Sequence, residues 1–358
     1  MNTPKLISWH LIGAVLIALL APICQAQRAP VDAAHTLGIE SCRDCHEAIV
    51  ESWERSKHAT SFNTLANSEA AHQIAKFIGM KADSIATNAS CVRCHYTQEK
   101  LASAVQTTAA VSCESCHGGA EQWIDIHNSK SLTRSERISK VSALGMNHPA
   151  WVFATAKACF ECHVIDDEQL VNKAGHPALS DGFELLSWYA GEVKHNFLVT
   201  KEGKPVKSNG HDPQPIPTAR KRMIFLTGKL LHLAHSLCAV GCSEDAPVDK
   251  AGKLVRLPNG KPTYAVQHAQ TVQRLIKEMR ELQPKLGIPE YAQALALVES
   301  NPLTTGHGKD LASAAMEIKR LAEQFSKSND GSKFTALDQL LESLKPHESN
   351  SKENVAKR

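Results

Sequence analysis

Between residues 91 and 117 the chain reads Cys91-Val92-Arg93-Cys94-His95 and then Cys113-Glu114-Ser115-Cys116-His117. Two thiols separated by two residues, with a histidine directly after the second, form the attachment signal for c-type haem. The chemistry requires that spacing. Each thiol adds to one vinyl group of the porphyrin, and the next residue presents an imidazole to the iron. The same pentapeptide stands upstream at Cys42-Arg43-Asp44-Cys45-His46 and downstream at Cys159-Phe160-Glu161-Cys162-His163. These four motifs predict four covalent haems c, carried by Cys42, Cys45, Cys91, Cys94, Cys113, Cys116, Cys159 and Cys162. The adjoining iron ligands are His46, His95, His117 and His163.

Cys91, Cys94, Cys113 and Cys116 taken alone also have a zinc-ribbon spacing. A zinc ribbon gives no reason for a histidine after every second cysteine, and here all four motifs have one. A free four-thiolate site would also meet oxidation in an exported chain. Export is the expectation from residues 1–26, which read as a signal peptide. Lys5 precedes an apolar run from Leu11 to Leu20, and Cys24-Gln25-Ala26 offers a small-residue cleavage site. Acylation of Cys24 is the weaker reading, because Ile23 stands where a small residue is expected. The expected address is the periplasm, where haem attachment takes place. No further membrane span is expected in the mature chain: Ile224 to Cys242 is apolar but interrupted by Lys229, His232 and His235.

A chain of 358 residues makes one large or two moderate domains. Only 5% of it is aromatic, and four porphyrins would supply flat apolar surface in place of aromatic side chains. The formal charge of +3 falls by one when the leader with Lys5 is removed. About one net negative charge per ferric haem then makes the holoprotein slightly acidic, which argues against nucleic-acid binding.

The expected organisation is mainly α with extensive loops: signal peptide 1–26, tetrahaem domain 27–216, helical bundle-like region 217–346 and disordered tail 347–358. Within the haem domain the histidines outside the motifs outnumber the irons: His58, His72, His127, His148, His176, His195 and His211, with His35 just before. A low-spin haem needs a second strong axial ligand, histidine or methionine. If a helix runs unbroken over Glu47–Ala59, His58 lies about 18 Å along the axis from His46 at about 1.5 Å per residue, so it serves a different iron. The same reasoning applies to His127 relative to His117. His148 is a reserve ligand, His72 and His211 read as solvated, and Met80 and Met146 as apolar filler.

From residue 41 to about 197 the chain resembles the cytochrome c-554-like multihaem cytochromes. The resemblance rests on Trp53-x4-His58, on Val111-Ser112-Cys113-Glu114-Ser115-Cys116-His117-Gly118 and on Trp123-x3-His127. It continues in Ala174-Gly175-His176-Pro177-Ala178-Leu179, Phe183-Glu184-Leu185 and His195. It implies that His58, His127, His176 and His195 are distal haem ligands. The chain departs from the family's Pro-His-Trp at Lys194-His195-Asn196.

Past Pro217 the pattern turns helical. Ala265, Ala269, Val272, Ile276 and Met279 stripe a helix expected to end before Pro284. Pro289 opens a second helix to about Ser300. Leu311, Ala314, Ile318, Leu321 and Phe325 mark a third, and Phe334, Leu337, Leu341 and Leu344 a fourth. Lys201-Glu202-Gly203-Lys204 and Pro258-Asn259-Gly260-Lys261 read as turns. Lys201, Lys204, Lys207, Arg220, Lys221 and Arg222 form a basic stretch, read as a solvated face in preference to a docking site. Cys238 and Cys242 lack a following histidine; the expectation is a disulfide between them, the rival a metal site with His232 and His235.

Bis-histidine haems and no other catalytic motif suggest an electron carrier between redox proteins. Two alternatives stand beside it: an oxidoreductase with one open haem acting on a small nitrogen or sulfur compound, and a haem subunit docked by its C-terminal helices. Those helices could also form a homo-oligomer.

Overall fold

The computed structural model describes residues 29–193, 216–303 and 307–347. The leader, the Lys201–Lys204 turn, Lys207, His195, His211 and the tail beyond His347 lie outside the described residues. The chain is mainly helical, with one small two-stranded sheet. Its first half consists of short helices: α1 (Glu40–Glu54), α2 (Lys57–Ala66), α3 (Glu69–Phe77), α4 (Ala89–His95), α5 (Cys113–His117), α6 (Ile124–His127), α7 (Arg134–Ala143), α8 (Val152–His163), α9 (Glu168–Asn172) and α10 (Leu185–Trp188). Strands β1 (Thr97–Leu101) and β2 (Ala104–Ala109) form an antiparallel hairpin between α4 and α5. The second half is built from α11 (Thr218–Cys242), α12 (Tyr264–Leu286), α13 (Pro289–Glu299), α14 (Gly308–Ser328) and α15 (Asp338–Ser343).

The expected unbroken helix over Glu47–Ala59 is not formed. Helix α1 stops at Glu54, and Ser56 takes an extended conformation to cap α2, its side chain accepting the Ala59 N–H. A serine satisfies an otherwise orphaned N–H better at an N-cap than within a helix, so the chain breaks there. The Trp53 indole donates to the Val111 carbonyl at 2.8 Å and ties this corner to the third motif.

Helix α11 is the centre of the second half and packs against α12, α14 and α8. Leu226, Leu230, Leu231, Leu233 and Leu237 are all fully buried. Leu226, Leu230, Leu233 and Leu237 form one stripe, while Leu231 and the buried Ile224, Thr227 and Ala234 lie off it, so the helix is covered on all sides. It is long and apolar enough to cross a membrane, but 89% of its most apolar window is buried inside the protein. Lys229, which interrupts the apolar run, pairs with Glu278 of α12 at 2.7 Å. The core around α11 continues into the first half through Val152, Ala156 and Phe160 of α8 and through Phe183, Leu185, Leu186 and Tyr189.

The stripes expected for the C-terminal helices are found buried, with three differences. Helix α12 runs through Pro284 to Leu286, where Gly287 in the left-handed region (φ 59°) closes it by donating to the Gln283 carbonyl. A proline in the last turn removes one hydrogen bond near an end already short of partners, which a helix tolerates better than the same loss in its middle. The fourth helix is short: Phe334 and Leu337 are buried before or at its start and only Leu341 within it. His347, assigned to the tail, stacks on Trp188 with ring centroids 4.1 Å apart.

The basic stretch is not simply a solvated face. Arg222 is buried and forms a two-pronged ion pair with Asp338, at 2.7 and 2.6 Å, while half-buried Arg220 donates to the Pro149 carbonyl. Cys238 is disulfide-bonded. Among the described residues no group of three or more His, Cys, Asp or Glu is arranged to hold a metal ion. The turn at Asn259-Gly260 is present, with Gly260 at φ 80° and the Arg256–Pro262 bridge closing it.

Candidate functional site

Each of the four pentapeptides places its histidine where a helical path ends or breaks. His95, His117 and His163 are the last residues of α4, α5 and α8. His46 lies inside α1 at φ −124°, ψ 35°, a kink in that helix. One helical turn brings the two thiols to a common side, and the break turns the imidazole out of the turn that carries them. After the third motif the chain needs glycine: Gly118 has φ 85°, and a Cβ there would come within 2.5 Å of the Gly145 carbonyl oxygen.

Three histidines from the motifs meet histidines from elsewhere in the chain. The ring centroids of His46 and His127 are 6.3 Å apart, those of His58 and His163 6.1 Å, and those of His95 and His176 6.1 Å. A metal–imidazole bond is about 2.0–2.1 Å and a ring centroid lies about 1.1 Å behind its nitrogen, so two rings on opposite sides of one ion are about 6.2 Å apart. The three separations match that figure. Every pair joins distant segments: α1 with α6, α2 with α8, α4 with the loop after α9.

The groups at Nδ1 fix the tautomer. His117, His127 and His176 place Nδ1 against the carbonyl oxygens of Asn147 (3.1 Å), Ile124 and Pro177 (2.8 Å). A carbonyl only accepts, so Nδ1 holds the proton and Nε2 keeps the lone pair that a metal needs. His163 Nδ1 meets the Ser180 hydroxyl at 2.7 Å, and its ring stacks on Phe183 at 4.3 Å. His148 and His72 are arranged the other way. The Ala150 N–H donates to Nδ1 of His148, and His72 donates from Nε2 to the Ala66 carbonyl at 2.6 Å. Both rings then carry their proton on Nε2. His148 lines the site without the tautomer of a ligand, and His72 is half-buried as a local cap instead of free in solvent. Burial disfavours protonation of His46, His58, His117 and His176, and pushes His95 down to about 4 and His163 to about 3.

The motifs also pack on one another. The Cys42 and Cys113 thiols are within hydrogen-bonding reach, and a cavity of about 1020 Å³ opens over the first and third motifs, lined by Cys42, His46, His58, Cys116, His117 and His127. That is at the top of the usual range of about 300–1,000 Å³ for small-molecule pockets, room for a group larger than most ligands. The thiol pairs, the imidazole pairs and this mainly apolar space fit haem c. Met80 and Met146 pack in small apolar clusters beside the site.

Several supporting residues were not singled out by the sequence. Asn147 clamps the third motif: besides the His117 contact, its side chain donates to the Cys116 carbonyl and its N–H to the His117 carbonyl, both at 2.9 Å. Buried Glu114 accepts the N–H groups of Leu37, Gly38 and Ala120 at 2.9, 2.9 and 2.8 Å. Asn147-His148-Pro149 after Gly145, and a carboxylate between two motif cysteines, are the only signals the sequence carried for them.

No curated protein and no solved structure matches the chain. Residues 41–118, which hold the first three motifs, match the family described as cytochrome c554 and c-prime. Over that segment the chain is similar to that family, and the similarity supports a c-type cytochrome with covalently bound haem c and a part in electron transfer.

Proposed function

We propose that the protein is a periplasmic tetrahaem electron carrier that passes single electrons between redox proteins. The observation that carries this reading is the set of imidazole pairs at 6.1–6.3 Å, each contributed by two separate segments. In it Cys42, Cys45, Cys91, Cys94, Cys113, Cys116, Cys159 and Cys162 hold four haems. The ligand pairs are His46 with His127, His95 with His176 and His163 with His58. His117 belongs to the remaining haem, and the family resemblance supplies His195 as its distal ligand. When bound, the haems supply one-electron chemistry, with iron moving between its ferric and ferrous states.

The residues of the chain do the rest. The thioether-forming cysteines keep the cofactor in place in both oxidation states. The carbonyls at Nδ1 hold the imidazoles in the ligating tautomer, and apolar walls exclude water. Paired imidazoles such as these would leave a bound iron no position for a small ligand and would favour its ferric state, which suits a carrier. The signal peptide supports the periplasm as the address, and the exposed Cys45 beside His46 marks a point where the first motif reaches the surface. Denaturing mass spectrometry of the mature protein tests the count. Four haem additions to a chain beginning near Gln27 are expected, and three or five contradict the proposal.

A further inference from the structure

We infer that Arg93 is a positioning residue that sets a reduction potential: a buried, incompletely neutralised guanidinium at the junction of the second and fourth motifs, raising the potential of the haem between His95 and His176. This rests on the tetrahaem reading and adds to it a role for a residue inside a motif that the attachment chemistry leaves open.

Arg93 lies between Cys91 and Cys94 on α4, and only 6% of its side chain is exposed. Burying a charge is costly without full pairing, and this one is half paired. Its Nη2 donates to Asp166 Oδ1 at 2.8 Å, while buried Nη1 has no hydrogen-bond partner among the described residues. The Asp166 side chain is 32% exposed, so water shares its charge. The cation therefore sits in the low-dielectric interior and its counter-ion at the edge. The Arg93 carbonyl is 4.0 Å from Cys162 Sγ, which places the junction beside the fourth motif. Asp167, the next residue, places a second negative charge within electrostatic reach of the guanidinium.

A fixed positive charge opposes the extra positive charge of ferric iron and favours the ferrous form. The step it biases is the gain of one electron from the redox partner, in which no bond forms or breaks. A residue that only tied α4 to the loop after α8 would lack this effect. In that case removing either partner would loosen the same contact and disturb the site in the same way.

Spectroelectrochemical titration of the haem-loaded protein separates the two roles through Arg93→Gln, Arg93→Lys and Asp166→Asn. In Arg93→Gln one of the one-electron transitions should move to lower potential, by about tenfold in its reduction equilibrium, or about 59 mV for one electron. Asp166→Asn should move the same transition upward, and Arg93→Lys should stay near the wild type. Shifts of the same sign in Arg93→Gln and Asp166→Asn, or no shift in either, overturn the assignment. If Arg93→Gln does not accumulate as folded protein, Asp166→Asn decides alone: a rise supports the role, and a fall or no change contradicts it. Mass spectrometry of the same samples keeps the two claims apart. A wild type with fewer than four haems contradicts the tetrahaem reading, whereas four haems with unmoved potentials contradict only the role of Arg93.

Discussion

A histidine ligates iron through Nε2 only when that nitrogen keeps its lone pair, and the chain arranges this with whatever it places at Nδ1. Carbonyls there leave His117, His127 and His176 in the tautomer a ligand needs, and an N–H donor there leaves His148 in the other one. No sequence pattern carries that distinction, because the groups at Nδ1 are backbone atoms from turns. The motif cysteines and histidines were therefore legible from spacing alone, whereas the choice of His58, His127 and His176 among the surplus histidines came from the resemblance and not from spacing. Replacing His58 by alanine should leave the haem attached, since the thioethers and His163 remain, and should open that one iron. Mass spectrometry should show an unchanged haem count, while optical spectra show a new high-spin component that binds carbon monoxide quickly. A second prediction at this scale concerns His232, His235 and His268, whose burial holds each ring neutral down to about 3. The unfolded chain takes up these protons below about pH 6.5, so it binds more protons than the folded state. Their contribution to stability is full above about pH 6.5 and is lost as the pH falls from there. His268→Leu removes one such group. Urea unfolding at about pH 6 and pH 4 should show a smaller acid loss than in the wild type, by about 1.4 kcal/mol per pH unit.

Helices in the first half are set by caps and ties, not by long apolar stripes. The expected helix over Glu47–Ala59 read the periodicity of Ala48, Ile49 and Trp53 correctly but passed over Ser56, whose capping role ends one helix and starts the next. The β1–β2 hairpin was missed because Thr97–Ala109 carries no apolar alternation strong enough to announce it. The second half was more legible, since α12, α13 and α14 follow their stripes, with Pro284 misread as a stop. Glu114 shows how much one side chain can organise at this scale. Its carboxylate joins the segment before α1 to the turn after α5 through three backbone N–H groups. Hydrogen bonds to a charged group contribute about 1.5–3 kcal/mol each, so Glu114→Gln, which keeps the shape and loses the charge, should cost about 2–4 kcal/mol. Chemical denaturation checks this, and a cost under about 0.5 kcal/mol, as at an ordinary surface position, would show that the three contacts are incidental.

Over the whole molecule, α8 connects two kinds of structure. It ends in His163 of the fourth motif, and its other face lies in the same apolar core as α11, α12 and α14. Truncating α11 at Leu231, which is fully buried, should cost about 2–5 kcal/mol. Because the core is shared, haem absorbance and far-ultraviolet circular dichroism should fall together on heating the Leu231→Ala variant, at a lower midpoint than in the wild type; separate transitions would mean that the two halves fold apart. Low-temperature electron paramagnetic resonance of the oxidised protein tests whether imidazoles from distant segments close every iron. Ferric iron that is entirely low-spin is expected. A high-spin signal from about a quarter of the iron, one haem in four lacking its second axial ligand, would contradict it and favour an oxidoreductase with one open haem.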